Sequence, residues 1–350
     1  MRVVIDNKIP YIKGVIEKLA DEVIYIEGKD FSPLVVRNAD ALIVRTRTRC
    51  DQSLLEGSRV KFIATATIGF DHIDVDYCRK AGIVWCNAPG CNANSVAQYI
   101  HSSLLLLQRD KHLSLKDSCL GVVGVGHVGS KVVEVGRRLG MKVLQCDPPR
   151  AEKGEQGFLP LEALKEACDV LTFHTPLVRS GSYPTYHLVD ETFLTSLGKH
   201  PYLINTSRGE VVDNQALLDA MRQGLVPDAV IDVWENEPDI NRDLLERVLI
   251  GTPHIAGYSA DGKSNATRMA LDAYCRFFHI EADYQILPPP PAQPVWHVAD
   301  EEEAQLLSYN PYEDSNALKA HPEQFEYLRG HYPLRREWPA YTFIYNANQE

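Results

Sequence analysis

"GVVGVGHVGSKVVEVGRRLG", residues 121–140, joins an apolar run to a helical pattern through Gly124-x-Gly126-x-x-Gly129. The glycine pattern alone is weak; a strand before it and a helix after it make it specific. The first glycine permits a tight turn, the second lets a pyrophosphate approach the backbone, and the third lets helix and strand pack closely. The amides that open the helix, at His127 and Val128, then face the phosphates. The next apolar run, "KVLQCD" (142–147), ends in Asp147, where an acid meets the adenosine ribose hydroxyls. Pro148 and Pro149 follow directly, so the position immediately after Asp147 holds no arginine to receive a 2′-phosphate. The expected cofactor is therefore NAD.

Outward from this loop the chain alternates strand and helix patterns. On the N-terminal side, residues 2–6, 22–26, 41–45, 62–66 and 83–87 read as strands, with helical stretches such as 11–20 and 75–81 between them. "SVAQYIHSSLLLLQR" (95–109) is apolar around most of its circumference and reads as a helix packed between layers. A second alternating block has strands at 119–125, 142–147, 170–174, 202–207, 228–233 and 248–253, with helical segments at 130–139, 161–167 and 214–223. Such alternation predicts parallel sheets covered by helices on both faces. A helix pattern over 262–282 precedes "LPPPPAQP" (287–294), which can continue neither helix nor central strand. A linker is expected there, followed by a small C-terminal unit.

The 350 residues suffice for two domains and a small third unit. A formal net charge of −11 argues against a nucleic-acid or anionic-membrane binder, so an anionic substrate needs a local cluster of cations. No secretory signal or membrane-spanning stretch is visible, and the expected location is the cytoplasm. The eight cysteines stand singly, with no Cys-x-x-Cys pair and no metal-ligand spacing, which fits reduced thiols and no metal.

Three polar residues follow strand ends beyond the glycine loop: Arg208 in "INTSRGEVVD", Glu237 in "DVWENEP" and His254 in "PHIAGY". In open α/β sheets ligands bind outside the carboxyl ends of the strands, so topology places all three on one rim. A buried guanidinium needs a partner, either a protein carboxylate or a ligand. Oxidising a secondary alcohol with NAD requires a base for the hydroxyl proton, and His254 has the suitable pKa. Glu237 would orient the ring, and Arg208 would hold a substrate carboxylate through paired hydrogen bonds. Singly, each could be a structural residue; together, after a dinucleotide loop, they read as a dehydrogenase site.

"GVVGVGHVG", "HTPL" (174–177), "INTSRGEVVD", "DVWENEP" and "PHIAGY", with "ATIGFDHID" (66–74) nearer the N-terminus, resemble the D-isomer-specific 2-hydroxyacid dehydrogenase family. The resemblance spans residues 1–285. It implies two doubly wound parallel-sheet domains, a Rossmann-type cofactor domain (94–257) inserted in a flavodoxin-like substrate domain (1–93 and 258–286). A linker and small C-terminal α+β dimerisation unit (287–350) would follow, giving a homodimer. It assigns catalysis to Arg208, Glu237 and His254, substrate contacts to Thr46, Thr67 and Tyr258, and NAD contacts to Asp147, Thr175, Asp232 and Gly257 beside the glycine loop. For Asp232 the chemistry agrees, since an acid at a strand end could accept a hydrogen bond from the nicotinamide amide.

Further strings, "NAPGCNANSVAQY" (87–99), "CDPPRAEKGEQG" (146–157), "HIAGYSADGK" (254–263) and "LRREW" (334–338), resemble one branch of that family. That branch oxidises a small phosphorylated hydroxy acid at C2 to the 2-oxo acid, in bacterial vitamin B6 synthesis. The tail here stops soon after "RREW", a departure from that branch. "VRTRTRCD" (44–51) offers Arg45, Arg47 and Arg49 at strand alternation, either as a phosphate site or as a solvated edge. The alternatives are a dehydrogenase of the 3-phosphoglycerate or glyoxylate type, or an NAD-sensing corepressor on the same fold. Residues 295–350 lack the repeated ββα pattern of a regulatory small-molecule domain.

Overall fold

The computed structural model describes residues 1–346, and the chain divides into two compact units, 1–92 with 259–290 and 93–258 with 291–350. The division falls inside the proline run.

The first unit holds five parallel strands, β1 (Arg2–Asp6), β2 (Glu22–Ile26), β3 (Ala41–Val44), β4 (Phe62–Thr65) and β5 (Val84–Cys86), in the order β2-β1-β3-β4-β5. Alternate residues serve opposite faces: Val3, Ile5 and Ile43 pack in one core, Val4, Leu42 and Val44 in another. With both faces buried, these strands read as continuous apolar runs. The helix Ala260–Phe278 brings Leu271 and Tyr274 onto the first face. The helix pattern over 11–20 yields a single 3-10 turn, Ile16–Lys18. Pro10 precedes it, and Gly14, at φ +84°, interrupts the run.

The second unit has six parallel strands, β6 (Cys119–Val123), β7 (Lys142–Cys146), β8 (Val170–Phe173), β9 (Tyr202–Asn205), β10 (Ala229–Ile231) and β11 (Ile250–Gly251), in the order β11-β10-β9-β8-β6-β7. The chain reverses direction across the sheet at β6, and a crevice opens at such a switch point. The helix Ala93–Lys111 buries Tyr99, Ile100 and Leu104 to Leu107 against one face. It is apolar on most sides because it lies between that sheet and the C-terminal segment: Ser102 Oγ donates to the Tyr309 carbonyl at 2.7 Å.

The C-terminal segment contains a third, two-stranded parallel sheet, β12 (Val295–Val298) and β13 (Thr342–Tyr345), and helices Glu301–Ser308, Pro311–Ala320 and Phe325–Gly330. It groups with the second unit rather than forming a compact unit of its own. The reason is burial: Leu318 and Phe325 are fully buried in the core that also contains Phe173 and Trp234. Residues 347–350, the end of the expected 287–350 unit, lie outside the described residues. Among the described residues, no helix is long and apolar enough to cross a membrane.

Candidate active site

The glycine loop meets three spatial demands. Gly124 adopts φ +82°, and a Cβ there would lie 2.8 Å from the His174 carbonyl oxygen. A Cβ at Gly129 would lie 2.0 Å from the Gly124 oxygen, so the helix His127–Arg138 can start against β6 only with glycine there. At Gly126 a Cβ would meet nothing within 4 Å, which leaves room at the helix start for a phosphate group. The Asp147 carboxylate accepts from the Val125 amide at 2.8 Å and from the Arg150 amide at 3.2 Å, fixing it at the end of β7 beside the loop. Arg150 pairs with Glu155 at 2.9 Å and also donates to the Val125 carbonyl, so its guanidinium is engaged by the protein and not offered to a 2′-phosphate. Thr175 Oγ1 is buried without a hydrogen-bond partner among the described residues. An orphaned hydroxyl facing a glycine cradle fits a bound dinucleotide.

Arg208 is aimed by the turn after β9. Asn205 Oδ1 accepts from the Ser207 amide and hydroxyl at 3.1 and 2.9 Å, while Asn205 Nδ2 donates to the Arg208 carbonyl at 2.9 Å. Gly209 must be glycine because a Cβ would sit 1.9 Å from the Trp234 oxygen. The guanidinium donates to the Ser207 carbonyl at 2.7 Å, and no carboxylate pairs with it among the described residues. It lines a cavity of about 400 Å³ together with Glu237, His254, Arg179 and Tyr186. A larger cavity of about 510 Å³ lies on the C-terminal segment, but its Asp300, Glu302 and Glu303 lining suits no anionic substrate.

Glu237 and His254 form a dyad, with His254 Nδ1 2.8 Å from Glu237 Oε2. Glu237 Oε1 accepts from the Trp234 amide at 2.9 Å, so both carboxylate oxygens are engaged. Burial pushes the Glu237 pKa up, but the hydrogen bond and charge of His254, the Trp234 amide and the Arg329 guanidinium outweigh it and leave it below the usual carboxylate range. His254 itself sits at φ +57°, a left-handed conformation that costs a side-chain-bearing residue roughly 1–2 kcal/mol. The surroundings impose it: the His254 amide donates to the Asp232 carbonyl at 2.8 Å. The Asp232 carboxylate accepts from Thr252 Oγ1 (2.6 Å) and from the amides of Ile255 (2.8 Å) and Ala256 (3.0 Å). Asp232 therefore shapes the loop that carries His254, and its Oδ2, with a single hydrogen bond, keeps acceptor capacity for a further donor. Gly257 lies in the turn closed by the Tyr258 amide on the Ile255 carbonyl at 2.8 Å.

Sequence reasoning missed the clamp on that loop. Arg335, fully buried, donates to the carbonyls of Ser95 (2.6 Å), Ala256 (3.3 Å) and Ile255 (3.4 Å) and to Gln98 Oε1 (3.2 Å). Its guanidinium also lies 3.6 Å from the Tyr309 ring centroid. The string "LRREW" was the available signal, though nothing in it points to distant carbonyls.

Thr46, Thr67, Arg45 and Arg47 belong to the first unit. Thr67 Oγ1 lies 2.7 Å from Thr65 Oγ1 and donates to the Gly69 carbonyl at 2.9 Å, while His72 Nε2 lies 3.0 Å from Thr65 Oγ1. Thr46 is exposed. The expected strand alternation of Arg45, Arg47 and Arg49 is not present: β3 ends at Val44, and the Thr48 amide closes a turn on the Arg45 carbonyl at 3.1 Å. A turn does not place alternate residues on one side. Arg49 pairs with Asp51 at 2.8 Å, while Arg45 donates to the Lys8 carbonyl at 3.1 Å.

Comparison with known proteins agrees with this geometry. Residues 95–256 match the D-isomer specific 2-hydroxyacid dehydrogenase, NAD binding domain. A Bacteroides fragilis protein named erythronate-4-phosphate dehydrogenase is 61% identical over 345 residues, 98% of this chain and 99% of that protein. One of the same name from Porphyromonas gingivalis is 44% identical, covering 100% of this chain and 97% of its own length. The D-lactate dehydrogenase of Aquifex aeolicus, solved with NAD and lactic acid, superposes with a TM-score of 0.65 at 27% identity, over 80% of this chain and 96% of that one. The cofactor is NAD. With Arg, Glu and His on one rim beside a dinucleotide cradle, the chain belongs to the D-isomer-specific 2-hydroxyacid dehydrogenases.

Proposed function

We propose that the protein oxidises 4-phospho-D-erythronate at C2 to 3-hydroxy-2-oxo-4-phosphooxybutanoate, with NAD as oxidant, in pyridoxal 5′-phosphate synthesis. Full-length relatives bearing the name erythronate-4-phosphate dehydrogenase support this substrate over 3-phosphoglycerate, glyoxylate or a corepressor role. The observation that carries the chemistry is the His254–Glu237 hydrogen bond of 2.8 Å on a cavity shared with an arginine that pairs with no carboxylate among the described residues.

NAD, when bound, supplies the hydride acceptor for the C2 hydrogen. Gly124, Gly126, His127, Val128 and Gly129 hold its pyrophosphate, Asp147 its ribose, and Thr175 and Gly257 line its path. Arg208 takes the substrate carboxylate in a bidentate pair, which fixes C2 and its hydroxyl. His254, with Nδ1 committed to Glu237, uses Nε2 to accept the hydroxyl proton as the hydride leaves the same carbon. Glu237 remains ionised and stabilises the imidazolium that results. Tyr258, Thr46 and Thr67 meet the substrate hydroxyls, and Arg45 or Arg47 its phosphate. A homodimer fits the apolar side chains exposed on the C-terminal segment, Val295, Ile344 and Tyr345, and a reducing cytoplasm fits eight free thiols.

The test uses 4-phosphoerythronate deuterated at C2, with NAD and a 2-oxo acid to drain a tightly held cofactor. Deuterium in the reduced nicotinamide and a 2-oxo product trapped as its hydrazone are expected. Undeuterated NADH, or no carbonyl product, would overturn the reading.

A further inference from the structure

The cavity that holds Arg208, Glu237 and His254 has a second arginine on its wall, Arg179. Arg179 stands on the loop 178–187, just after Thr175. That loop is closed on itself: the Val178 amide donates to Thr185 Oγ1 and the Thr185 amide to the Val178 carbonyl, both at 2.8 Å. It is also sewn to the turn that follows Arg208. The His187 amide donates to the Glu210 carbonyl at 2.7 Å, and the Val189 amide to the Val211 carbonyl at 3.0 Å. A stack rises from this base. His187 Nε2 lies 2.7 Å from Glu235 Oε1, and the Tyr186 ring lies on the His187 ring at 4.1 Å with 13° between their planes. The Arg179 guanidinium lies over Tyr186, 4.5 Å from the ring centroid. A cation–π contact positions a guanidinium through its charge and spends none of the N–H donors that an oxyanion needs.

We propose that Arg179 binds the phosphate of the substrate and sets the preference for phosphorylated hydroxy acids. The inference rests on the phosphorylated substrate proposed above and deepens that reading. Charge carries the argument. Three carboxylates line the cavity beside the two arginines. Glu235 is committed to His187 and to the Asn214 amide at 2.9 Å, and Glu237 to His254 and the Trp234 amide. Glu210 Oε1 lies 3.5 Å from Arg179 Nη2, in a pair whose arginine is 61% exposed. A long, solvated pair contributes little, and it yields to a phosphate dianion with more charge and more acceptor oxygens. An acid with an anion at each end needs two cations, and a chain of net charge −11 must supply them locally. Arg208 takes the carboxylate, which leaves Arg179 as the second arginine on that wall. A phosphate has three terminal oxygens, so this assignment adds to the arginine proposed from the first unit and does not replace it.

The experiment titrates the NADH-loaded full chain, where no turnover occurs, with two matched pairs of acids. One pair is 4-phosphoerythronate and erythronate; the other is 3-phosphoglycerate and glycerate. Calorimetry gives the affinities for the parent, Arg179→Gln, Arg179→Lys, Tyr186→Leu and Arg208→Ala. Arg179→Gln is expected to weaken the phosphorylated acids about tenfold or more, as loss of a charge-assisted hydrogen bond does. The unphosphorylated acids should bind it as they bind the parent, which also shows that the site is intact. Arg179→Lys should recover much of the loss, because an ammonium binds phosphate as a point charge. Tyr186→Leu should lose part of it by unseating the guanidinium, and Arg208→Ala should weaken all four acids, which share the carboxylate. The proposal is overturned if Arg179→Gln binds the phosphorylated acids as the parent does, or if it weakens both members of a pair equally. The second pair separates it from the substrate assignment. If 4-phosphoerythronate is not oxidised, yet 3-phosphoglycerate loses its advantage over glycerate in Arg179→Gln, the substrate assignment fails and the role of Arg179 stands.

Discussion

Arg335 and Arg208 serve the same half of the molecule under opposite conditions. Around Arg335 the guanidinium is fully buried, and four protein oxygens, an aromatic face and the nearby Asp314 share its charge. Around Arg208 the side chain is half-buried on a cavity wall and spends one nitrogen on a neighbouring carbonyl. A buried ion must be satisfied by its surroundings or by a ligand. The first arginine is satisfied by the protein and braces the loop that carries His254; the second, in the proposed mechanism, keeps its fork for a carboxylate. The difference separates a cation that builds the site from one that works in it.

The largest expected effect lies on the working side. His254→Asn should lower kcat about 10³-fold at unchanged melting temperature, since general base catalysis contributes on the order of 10²–10⁴. Stopped assays at saturating substrate check it. Arg208→Ala should lower kcat/KM about 10²-fold or more, with Arg208→Lys recovering little because an ammonium lacks the planar fork. If Arg208 were a clamp like Arg335, both variants would melt earlier with KM intact.

On the building side, Arg335→Met should cost about 3 kcal/mol of stability, because several carbonyls lose a charged donor and Asp314 loses a compensating charge. Burial already pushes the Asp314 pKa up, with the hydroxyls of Tyr332 and Tyr309 and Arg335 opposing it. Chemical denaturation checks it, and loss of stability without a shift in KM for NAD is the expected pattern.

The working residues were legible because a parallel sheet delivers strand ends to one rim. Arg208 after β9, Glu237 after β10 and His254 after β11 follow from topology once the glycine loop identifies the fold. The building residues were not legible. Arg335 acts through carbonyls such as Ile255, 80 residues away. Such contacts leave no periodicity and no local spacing. The Arg45, Arg47 and Arg49 triplet shows the converse: alternation on paper was undone where β3 stopped at Val44.

The smallest effect concerns pH. Burial lowers the His174 pKa to about 3, and burial with Arg138 lowers that of His101 to about 4, from 6.5. Both folded-state values are depressed, so the unfolded chain binds more protons between the two values. Stability is therefore retained above pH 6.5 and falls as pH drops below it, by up to about 1.4 kcal/mol per pH unit for each histidine. Denaturation midpoints across that window check this, and His174→Gln should flatten the slope by one histidine's share. Glu237 has the carboxylate version of the same sign: its lowered pKa adds stability at neutral pH that is lost as pH falls through the carboxylate range.

The most direct test of the account is the initial rate of NADH formation with 4-phosphoerythronate, 3-phosphoglycerate and unphosphorylated erythronate, measured for the parent and for Arg208→Ala. Turnover is predicted for 4-phosphoerythronate far above the other two, and its collapse in the variant with NAD affinity unchanged. Equal rates on all three acids, or a variant as active as the parent, would contradict it.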